Sequence, residues 1–375
     1  MSPRSSISAQ LGLVAESTWG VPVTVTNFIP LVSETMGIES NNRVESNAII
    51  AGANILRSEQ WDEGLRIVGG EIGLELPTES AAIRLLLEHA MGAVSGSGPY
   101  TFTPADLYGK GLTCQIGVPG VDGTVRPKTY PGCKINTWEI AWTAGEIVTF
   151  GLGMIGLSEN LYRTVADGVL NSTTTITSAT AVFTKGDVGQ IISGTNIPAG
   201  ATIVTVNSAT SVVISSAATG SATGVTIVIG IALASASYAS GVGTPFHAVY
   251  ATATIGGTAV QVKQGTLSGD NKLARRPRAG SYYTQEPIGT ELREYTGELD
   301  LEFVDGTQYN RFKNGTEAAV VCTFVSGSKS LVLTYNCRFD GDTPNVGGRE
   351  VVGQGVKIKA VGASTDAGAL TMVYT

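Results

Sequence analysis

The chain has 375 residues, of which 42% are hydrophobic and only 15% are charged. A chain of this length is expected to form two or three compact units, and its many Gly, Ser, Thr and Val residues favour an all-β class over helix. The formal net charge of −7 and the pI near 5.0 argue against a protein that holds nucleic acid by general charge attraction.

The first residues and the longest apolar run bear on cellular location. Met1–Arg4 leads into a polar stretch that has no apolar core of a secretory signal. The longest apolar run, Val225–Ala234, is too short to cross a bilayer and is interrupted by Gly230. The sequence therefore predicts a soluble protein that is made in the cytoplasm and does not enter a membrane.

Two strand-like segments carry carboxylates in alternation with apolar residues. Gly70–Leu76 places Glu71 and Glu75 on one face, because side chains alternate along a strand. A similar segment, Gly297–Phe303, follows 227 residues later. Its carboxylates, which also share one face, are Glu298, Asp300 and Glu302. A solvent-facing strand explains this pattern, but repeated like charges cost stability, which favours a role such as a wall that repels a polyanion.

One segment has clear helical periodicity. Apolar residues recur at i, i+3, i+4 and i+7 after Thr78 and Ser80, either of which can cap a helix, and Gly92 follows the last of them. These apolar residues are Ile83, Leu86, Leu87 and Ala90. A weaker helical segment, Thr307–Asn314, follows the second acidic strand. We therefore expect one amphipathic helix that packs on a sheet, with a weaker counterpart.

The order of these segments favours an internal duplication. Asn42-Arg43-Val44 resembles Asn271-Lys272-Leu273 at nearly the same spacing as the acidic strands. Two later segments match in kind. Gly132–Ile140 and Ile147–Met154 are matched with Gly355–Val361 and Leu370–Tyr374 respectively. Chance similarity is the alternative.

Both acidic strands follow long polar segments that are typical of exposed hairpin loops. We expect their charged residues to take part in contacts between subunits. These residues are Arg43, Glu45 and Arg57 in the first loop and Lys272, Arg275, Arg276 and Arg278 in the second. Solvated charge is the alternative, and direct nucleic-acid binding is disfavoured because few aromatic residues lie nearby.

The composition changes between residues 165 and 235, where Ser and Thr are abundant and charged residues are few. Short β-branched runs alternate there with turn residues, which is typical of strands and disfavours a disordered linker. The runs are Ala201–Val206, Ser211–Ser215 and Gly224–Ile229. We predict a small β-sandwich-like module at 165–235, inserted between a first domain at 1–164 and a second domain, or second half of one domain, at 236–375.

Residues that could carry catalysis are scarce. His89 and His247 are the two histidines, and neither lies near a nucleophile motif or forms a metal-binding pair. The cysteines show no Cys-x-x-Cys spacing, so free core thiols are expected at Cys114, Cys133, Cys322 and Cys337. We therefore predict no catalytic, cofactor-binding or metal-binding residues, no cofactor, and a protein that is not an enzyme.

An ordered series of segments carries a resemblance to a known family. Leu11–Pro22 and Phe28–Glu34 are followed by a long polar loop, the acidic strand, the Leu-rich helix and a Tyr130–Gly132 turn before Ile135–Trp142. This series resembles the tail-tube proteins of long-tailed bacteriophages. The inserted segment, particularly Phe183–Thr202, is similar to β modules that decorate phage tails and fibres.

The resemblance implies a tube domain of two packed antiparallel sheets and a helix. It implies rings with a continuous inner β-barrel, stacked through long hairpin loops into the tail tube of the virion and assembled in the host cytoplasm. The lumen would pass viral DNA without specific binding, and its candidate lining residues are Glu71, Glu75, Glu298, Asp300 and Glu302. Implied partners are further copies of the chain and proteins of the tape-measure and tail-terminator types. A duplicated domain favours three chains in a pseudo-sixfold ring, and a single domain favours six.

Two other functions stay open at this point. A surface adhesin or carbohydrate-binding β protein is favoured by the Ser/Thr-rich module, but the missing signal and the embedded helix argue against it. A hydrolase on a β scaffold is disfavoured by the two isolated histidines.

Overall fold

The computed structural model describes residues 5–39, 43–50, 52, 54–239, 242–340, 344, 352–362 and 365–375. Asn42 and Met1–Arg4, which entered the sequence predictions, lie outside the described residues. Antiparallel strands dominate the structure and two short helices accompany them, so the predicted all-β class is confirmed.

The first half of the chain contains thirteen strands and helix α1 (Ala81–Met91) in its described residues. The strands are β1 (Gln10–Ala15), β2 (Asn27–Ile29), β3 (Ser33–Glu34), β4 (Gly37–Ile38), β5 (Arg43–Glu45), β6 (Trp61–Glu63), β7 (Val68–Glu75), β8 (Gly92–Ser95), β9 (Tyr100–Pro104), β10 (Leu112–Pro119), β11 (Val125–Thr143), β12 (Thr149–Gly156) and β13 (Asn160–Leu161).

A six-stranded module follows. Its strands are β14 (Arg163–Asn171), β15 (Thr175–Thr177), β16 (Ile192–Ser193), β17 (Ile203–Ser208), β18 (Ser211–Ile214) and β19 (Ser221–Ile229). The second half then supplies helix α2 (Thr307–Asn314) and ten strands in its described part. These are β20 (Thr252–Ile255), β21 (Thr258–Val260), β22 (Val262–Asp270), β23 (Leu273–Arg276), β24 (Gln285–Gly289), β25 (Glu294–Glu302), β26 (Ala318–Ser326), β27 (Lys329–Phe339), β28 (Gly353–Ala360) and β29 (Leu370–Tyr374).

Helix α1 begins and ends where its sequence predicts. Ser80 is the N-cap, and its side-chain oxygen accepts a hydrogen bond from the Ile83 amide at 3.3 Å. Gly92 ends the helix at a φ of 107°, a conformation that favours glycine because it has no Cβ. The apolar side of the helix is buried in the core, whereas α2 has no buried residue. Burial stabilises each large apolar side chain by about 1.5–3 kcal/mol, so α1 contributes to the core and α2 contributes little.

Strands of both halves join in one antiparallel sheet, which we call the long sheet. Its order is β3 with β4, then β7, β12, β11, β22, β25, β28 and β27. Only the C-terminal parts of β11 and β27 belong to it, because their N-terminal parts pair with β10 and β26 in the sheets that cover it. One continuous apolar core lies between the long sheet and these covering sheets.

The two halves repeat one order of strand pairing. Successive neighbours in the first half are β2, β1, β10, β11, β12 and β7, and in the second half they are β21, β20, β26, β27, β28 and β25. A helix follows β7 and β25 alike. The counterpart of β11 is therefore β27 and that of β12 is β28. Both sequence matches are wrong, because Gly132–Ile140 falls on β11 but Gly355–Val361 falls on β28, and Ile147–Met154 falls on β12 but Leu370–Tyr374 is β29. Strand β29 pairs instead with β27 and β9, which a local apolar pattern cannot reveal because it does not identify a strand's partner.

The halves meet where β11 pairs with β22, and we call this pairing and its flanking contacts the internal interface. Trp138 lies directly opposite Gly269 and Trp142 directly opposite Gly265. A Cβ atom on either glycine would come within 3.0 Å of the indole ring. The two glycines thus leave the space that the two large rings fill, and all four residues are buried.

The module folds around a core of its own. Its edge strands β16 and β17 are joined by a bridge between Ile191 and Thr202, so the sheet curls on itself. The chain enters at Arg163 and leaves at Ile229, and these two residues are paired neighbours. The module also touches both halves: Lys185 forms an ion pair with Asp62 at 2.7 Å, and the Tyr283 hydroxyl donates to the Val188 carbonyl.

Candidate functional site

The long sheet has one face on which carboxylates, hydroxyl groups and glycines predominate, which we call the polar face. On β7, Glu71 and Glu75 are exposed on it, while Ile72 and Leu74 point into the core. On β25, the predicted carboxylates are also opposite the buried Leu299 and Leu301. Glu298 and Glu302 are exposed and Asp300 is half-buried. The structure therefore brings all five predicted acidic residues to one face of one sheet.

Further acidic residues lie on the same face and were not predicted. Glu139 of β11 is opposite Ser268 of β22, and Asp270 of β22 is opposite Glu294 of β25. Side chains alternate along β11, so Glu139 points away from the core into which the buried Trp138 points. The sequence contained this alternation and could have predicted which way Glu139 points. What the sequence lacked was the pairing of β11 with β22, which joins segments more than a hundred residues apart.

Glycines and hydroxyl-bearing residues occupy the positions between these carboxylates. Gly73 of β7 pairs with Gly151 of β12, which pairs with Glu139. With Thr137 and Ser268 they line a shallow concavity of about 500 Å³. No atom lies within 4 Å of a Cβ built on Gly151. The polar face is consequently low in relief as well as acidic.

Basic residues also reach the polar face, so it is not uniformly acidic. Lys359 of β28 forms an ion pair with Glu294 at 2.6 Å, and Lys272 lies 3.4 Å from the same carboxylate. These two ammonium groups lower the pKa of Glu294, with the hydrogen bond from Lys359 as the larger cause. Lys357 is opposite Glu298 on the neighbouring strand. Carboxylates nevertheless outnumber ammonium groups on this face.

The predicted contact residues of the first loop are exposed on the hairpin formed by β5 and β6. Arg43 lies over the ring of Trp61, with its guanidinium carbon 5.1 Å from the ring centroid, and Glu45 and Arg57 are exposed. Apolar side chains on the same loop are exposed as well. Examples are Val44, Ile49, Ile55 and Leu56.

The predicted contact residues of the second loop are engaged mostly within the chain. Lys272 bonds Asp270 at 2.8 Å, Arg275 bonds Glu39 at 2.7 Å, and Arg276 donates to the Glu286 carbonyl at 2.9 Å. Arg278 is exposed. The two loops therefore carry similar charged residues but differ in how much of the chain covers them.

The buried histidine and the four cysteines lie in the core, away from the polar face. His89 is buried in α1, and its Nδ1 is 2.8 Å from the Leu85 carbonyl. Burial lowers the pKa of this imidazole. The four cysteines are free and buried, as the sequence predicts. They are Cys114, Cys133, Cys322 and Cys337.

The described residues contain neither a metal-binding cluster nor a membrane-spanning helix. Across the described ranges, no group of three or more His, Cys, Asp and Glu side chains could hold a metal ion. In the part of the chain that the structure describes, neither helix is long and apolar enough to cross a membrane.

Comparison with known proteins identifies the family. The family model described as phage tail tube protein matches residues 6–211 and 193–360. These segments span most of the chain, so the chain belongs to the phage tail tube protein family. It is a structural component of a bacteriophage tail, as the resemblance in the sequence implied. A search of curated proteins returned no match.

Proposed function

We propose that this chain polymerises into stacked rings that form the tail tube, and that the polar face lines the lumen through which the genome is ejected. The observation that carries this proposal is the continuity of the polar face across both halves, because β11 and β22 pair along seven residues. A barrel wall requires one face that packs on a core and one that faces water, and the long sheet has both.

The charge of the polar face supports a role in DNA passage. Carboxylates repel the phosphate backbone, and this repulsion acts over a Debye length of about 8–10 Å at moderate salt. Glu71, Glu75, Glu298, Asp300 and Glu302 are the proposed lining residues, together with Glu139. Glycines at positions such as Gly151 add no side chains that could hold a passing polymer.

The repeated order of strand pairing supports a duplicated tube domain in each chain. We propose that residues 1–164 and 236–375 are the two tube domains and that residues 165–235 are an inserted decoration module that projects from the tube. Three chains would then supply six tube domains to each ring, in a pseudo-sixfold arrangement. The exposed β5–β6 hairpin, with Arg43, Glu45 and Arg57, is proposed to contact neighbouring subunits.

Electron microscopy of the purified protein tests the assembly. We expect rings or hollow tubes of uniform diameter, with outward knobs that disappear when the module is deleted. Protein that stays monomeric at high concentration, even when tail-tip complexes are added as initiators, would contradict the proposal.

Charge reversal on β25 tests the lumen. Tubes of a Glu298→Lys, Glu302→Lys variant should retain double-stranded DNA in a salt-dependent manner, whereas unmodified tubes should not. Glu79→Lys is the matched control, because Glu79 lies just before α1 and not on the long sheet. A map of the tube that places Glu298 and Glu302 on its outer surface would end the lumen assignment.

A further inference from the structure

The internal interface fills a cleft in the second half. The side chain of Trp142 extends from β11 of the first half and meets Phe324, with ring centroids 5.1 Å apart at an interplanar angle of 78°. Ala251, Gln261 and Val262 line the same cleft. Only about 140 Å³ of free space remains there. The C-terminal end of β11, which belongs to the first half, thus covers the cleft at the edge of the second half.

The corresponding place in the first half is an open groove. Leu11 pairs with Ile116 as Ala253 pairs with Cys322, so the repeated pairing makes these two residue pairs equivalent. The equivalents of the four cleft residues follow from the same register. They are Ala9 for Ala251, Pro30 for Gln261, Leu31 for Val262 and Val118 for Phe324.

These four residues line a groove of about 700 Å³ that nothing in the described part of the chain fills. Val32 and Tyr238 extend the groove, and their side chains are 65% and 47% exposed. The groove borders β3 and β4, whose outer side has no paired strand among the described residues. The first half therefore presents an unfilled apolar cleft beside an unpaired sheet edge, at the position that Trp142 and β11 close in the second half.

The internal interface contains an ion pair whose two equivalent residues elsewhere in the chain do not pair with each other. Lys134 of β11 bonds Glu286 of the second loop at 2.7 Å, and the two side chains are 3% and 11% exposed. Lys134 pairs with Ile155 as Arg338 pairs with Lys359, so Arg338 is the counterpart of Lys134.

The counterpart of Glu286 is on the first loop. Val44 pairs with Asp62 as Leu273 pairs with Gly289, which makes Glu59 equivalent to Glu286. Glu59 is 62% exposed and 3.9 Å from Arg57, and the Arg338 side chain is 54% exposed and 3.4 Å from Asp340. Such exposed pairs hold their partners weakly, so both groups are available to a better partner.

We propose that a second copy of this chain covers the first-half groove and brings the C-terminal end of its β27 to the first loop, so that Glu59 of one copy pairs with Arg338 of the next. This contact repeats the internal interface between chains and rests on the proposed ring assembly. The charges are opposite, the sheet edge and the groove are adjacent, and the exposed apolar residues of the first loop belong to the same loop as Glu59. A head-to-tail contact of this kind closes into a ring when its rotation returns the last copy to the first.

Charge exchange tests the ion pair. Arg338→Glu and Glu59→Lys should each raise the protein concentration at which rings appear by about tenfold, because each places like charges at the contact. The variant that carries both changes should return toward the unmodified threshold. Lys329→Glu is the matched control, because Lys329 pairs with Glu79 within the chain at 3.4 Å and should leave the threshold unchanged.

Cross-linking tests the contact itself. A mixture of Glu59→Cys and Arg338→Cys chains treated with a short bis-maleimide should give covalent dimers, and each variant alone should not, because the native cysteines are buried. Leu31→Arg should abolish ring formation while the far-ultraviolet circular dichroism stays unchanged, and Val204→Arg in the module is its control.

The outcomes separate this inference from the proposed function. Tubes that form with no dependence on residues 59, 338 and 31, and without the cross-link, would overturn the contact and leave the tube function standing. Failure of the unmodified chain to form any ring or tube would remove both.

Discussion

The glycine–tryptophan pairs of the internal interface give the sharpest stability prediction. Gly269→Ala and Gly265→Ala would each place a methyl group within 3.0 Å of the ring of Trp138 or Trp142. Both rings are buried, so they can move only by displacing the core. Overpacking of this kind costs about 1–3 kcal/mol, and we expect each variant to lose that much stability in guanidinium unfolding followed by tryptophan fluorescence.

Gly151→Ala is the matched control. Gly151 is a strand glycine in β12, and a Cβ there would have no neighbour within 4 Å. Relief of chain entropy in the unfolded state should make this variant equal to the parent or more stable by about 0.4–1 kcal/mol. Adding Trp138→Phe to Gly269→Ala should recover part of the loss, as a double-mutant cycle would show. If Gly265→Ala and Gly269→Ala unfold at the same denaturant concentration as Gly151→Ala, the packing argument is refuted.

Three further predictions concern buried charge, pH and the module. Glu286→Gln removes the ion-pair partner of Lys134, an ammonium group whose pKa is already lowered by burial. The variant should lose about 3–5 kcal/mol of unfolding free energy, measured with urea. A loss below about 1 kcal/mol would show that water reaches the ammonium group. Burial also lowers the pKa of His89 below 6.5, so the unfolded chain takes up the proton first and stability should fall as the pH drops through 6.5. His89→Gln should remove that part of the slope, and an unchanged slope would assign it to other groups. Replacing residues 164–228 by a short flexible linker should leave a folded protein with the far-ultraviolet spectrum of a β protein, since the module has its own core, and loss of cooperative unfolding would contradict this.

The sequence predicted features that depend on neighbours along the chain. Ser80 and Gly92 bound α1 as expected because capping is a local matter of side-chain acceptors and backbone conformation. The carboxylates of β7 and β25 share the polar face because alternation fixes the facing of each residue once a strand is recognised.

The sequence did not predict which strands become neighbours. Glu139 and Asp270 joined the polar face only because β11 pairs with β22, and no local pattern specifies that pairing. The same reason led to the wrong match for Leu370–Tyr374, since an apolar alternation suits a strand in either sheet. The sequence also could not predict the open groove beside Leu31, because recognising it requires the comparison of two equivalent places in the folded chain.

The covalent link across the internal interface has a consequence for assembly kinetics. Two domains on one chain meet at an effective concentration that is on the order of millimolar for a short tether, however dilute the protein is. In the proposed ring of three chains, half of the domain contacts would therefore form during folding and only the other half would depend on collision. In a duplicated chain, the link would also free the two halves to differ, because each need only fit its own neighbours. The halves do differ in their helices, since α1 is buried in the core and α2 has no buried residue.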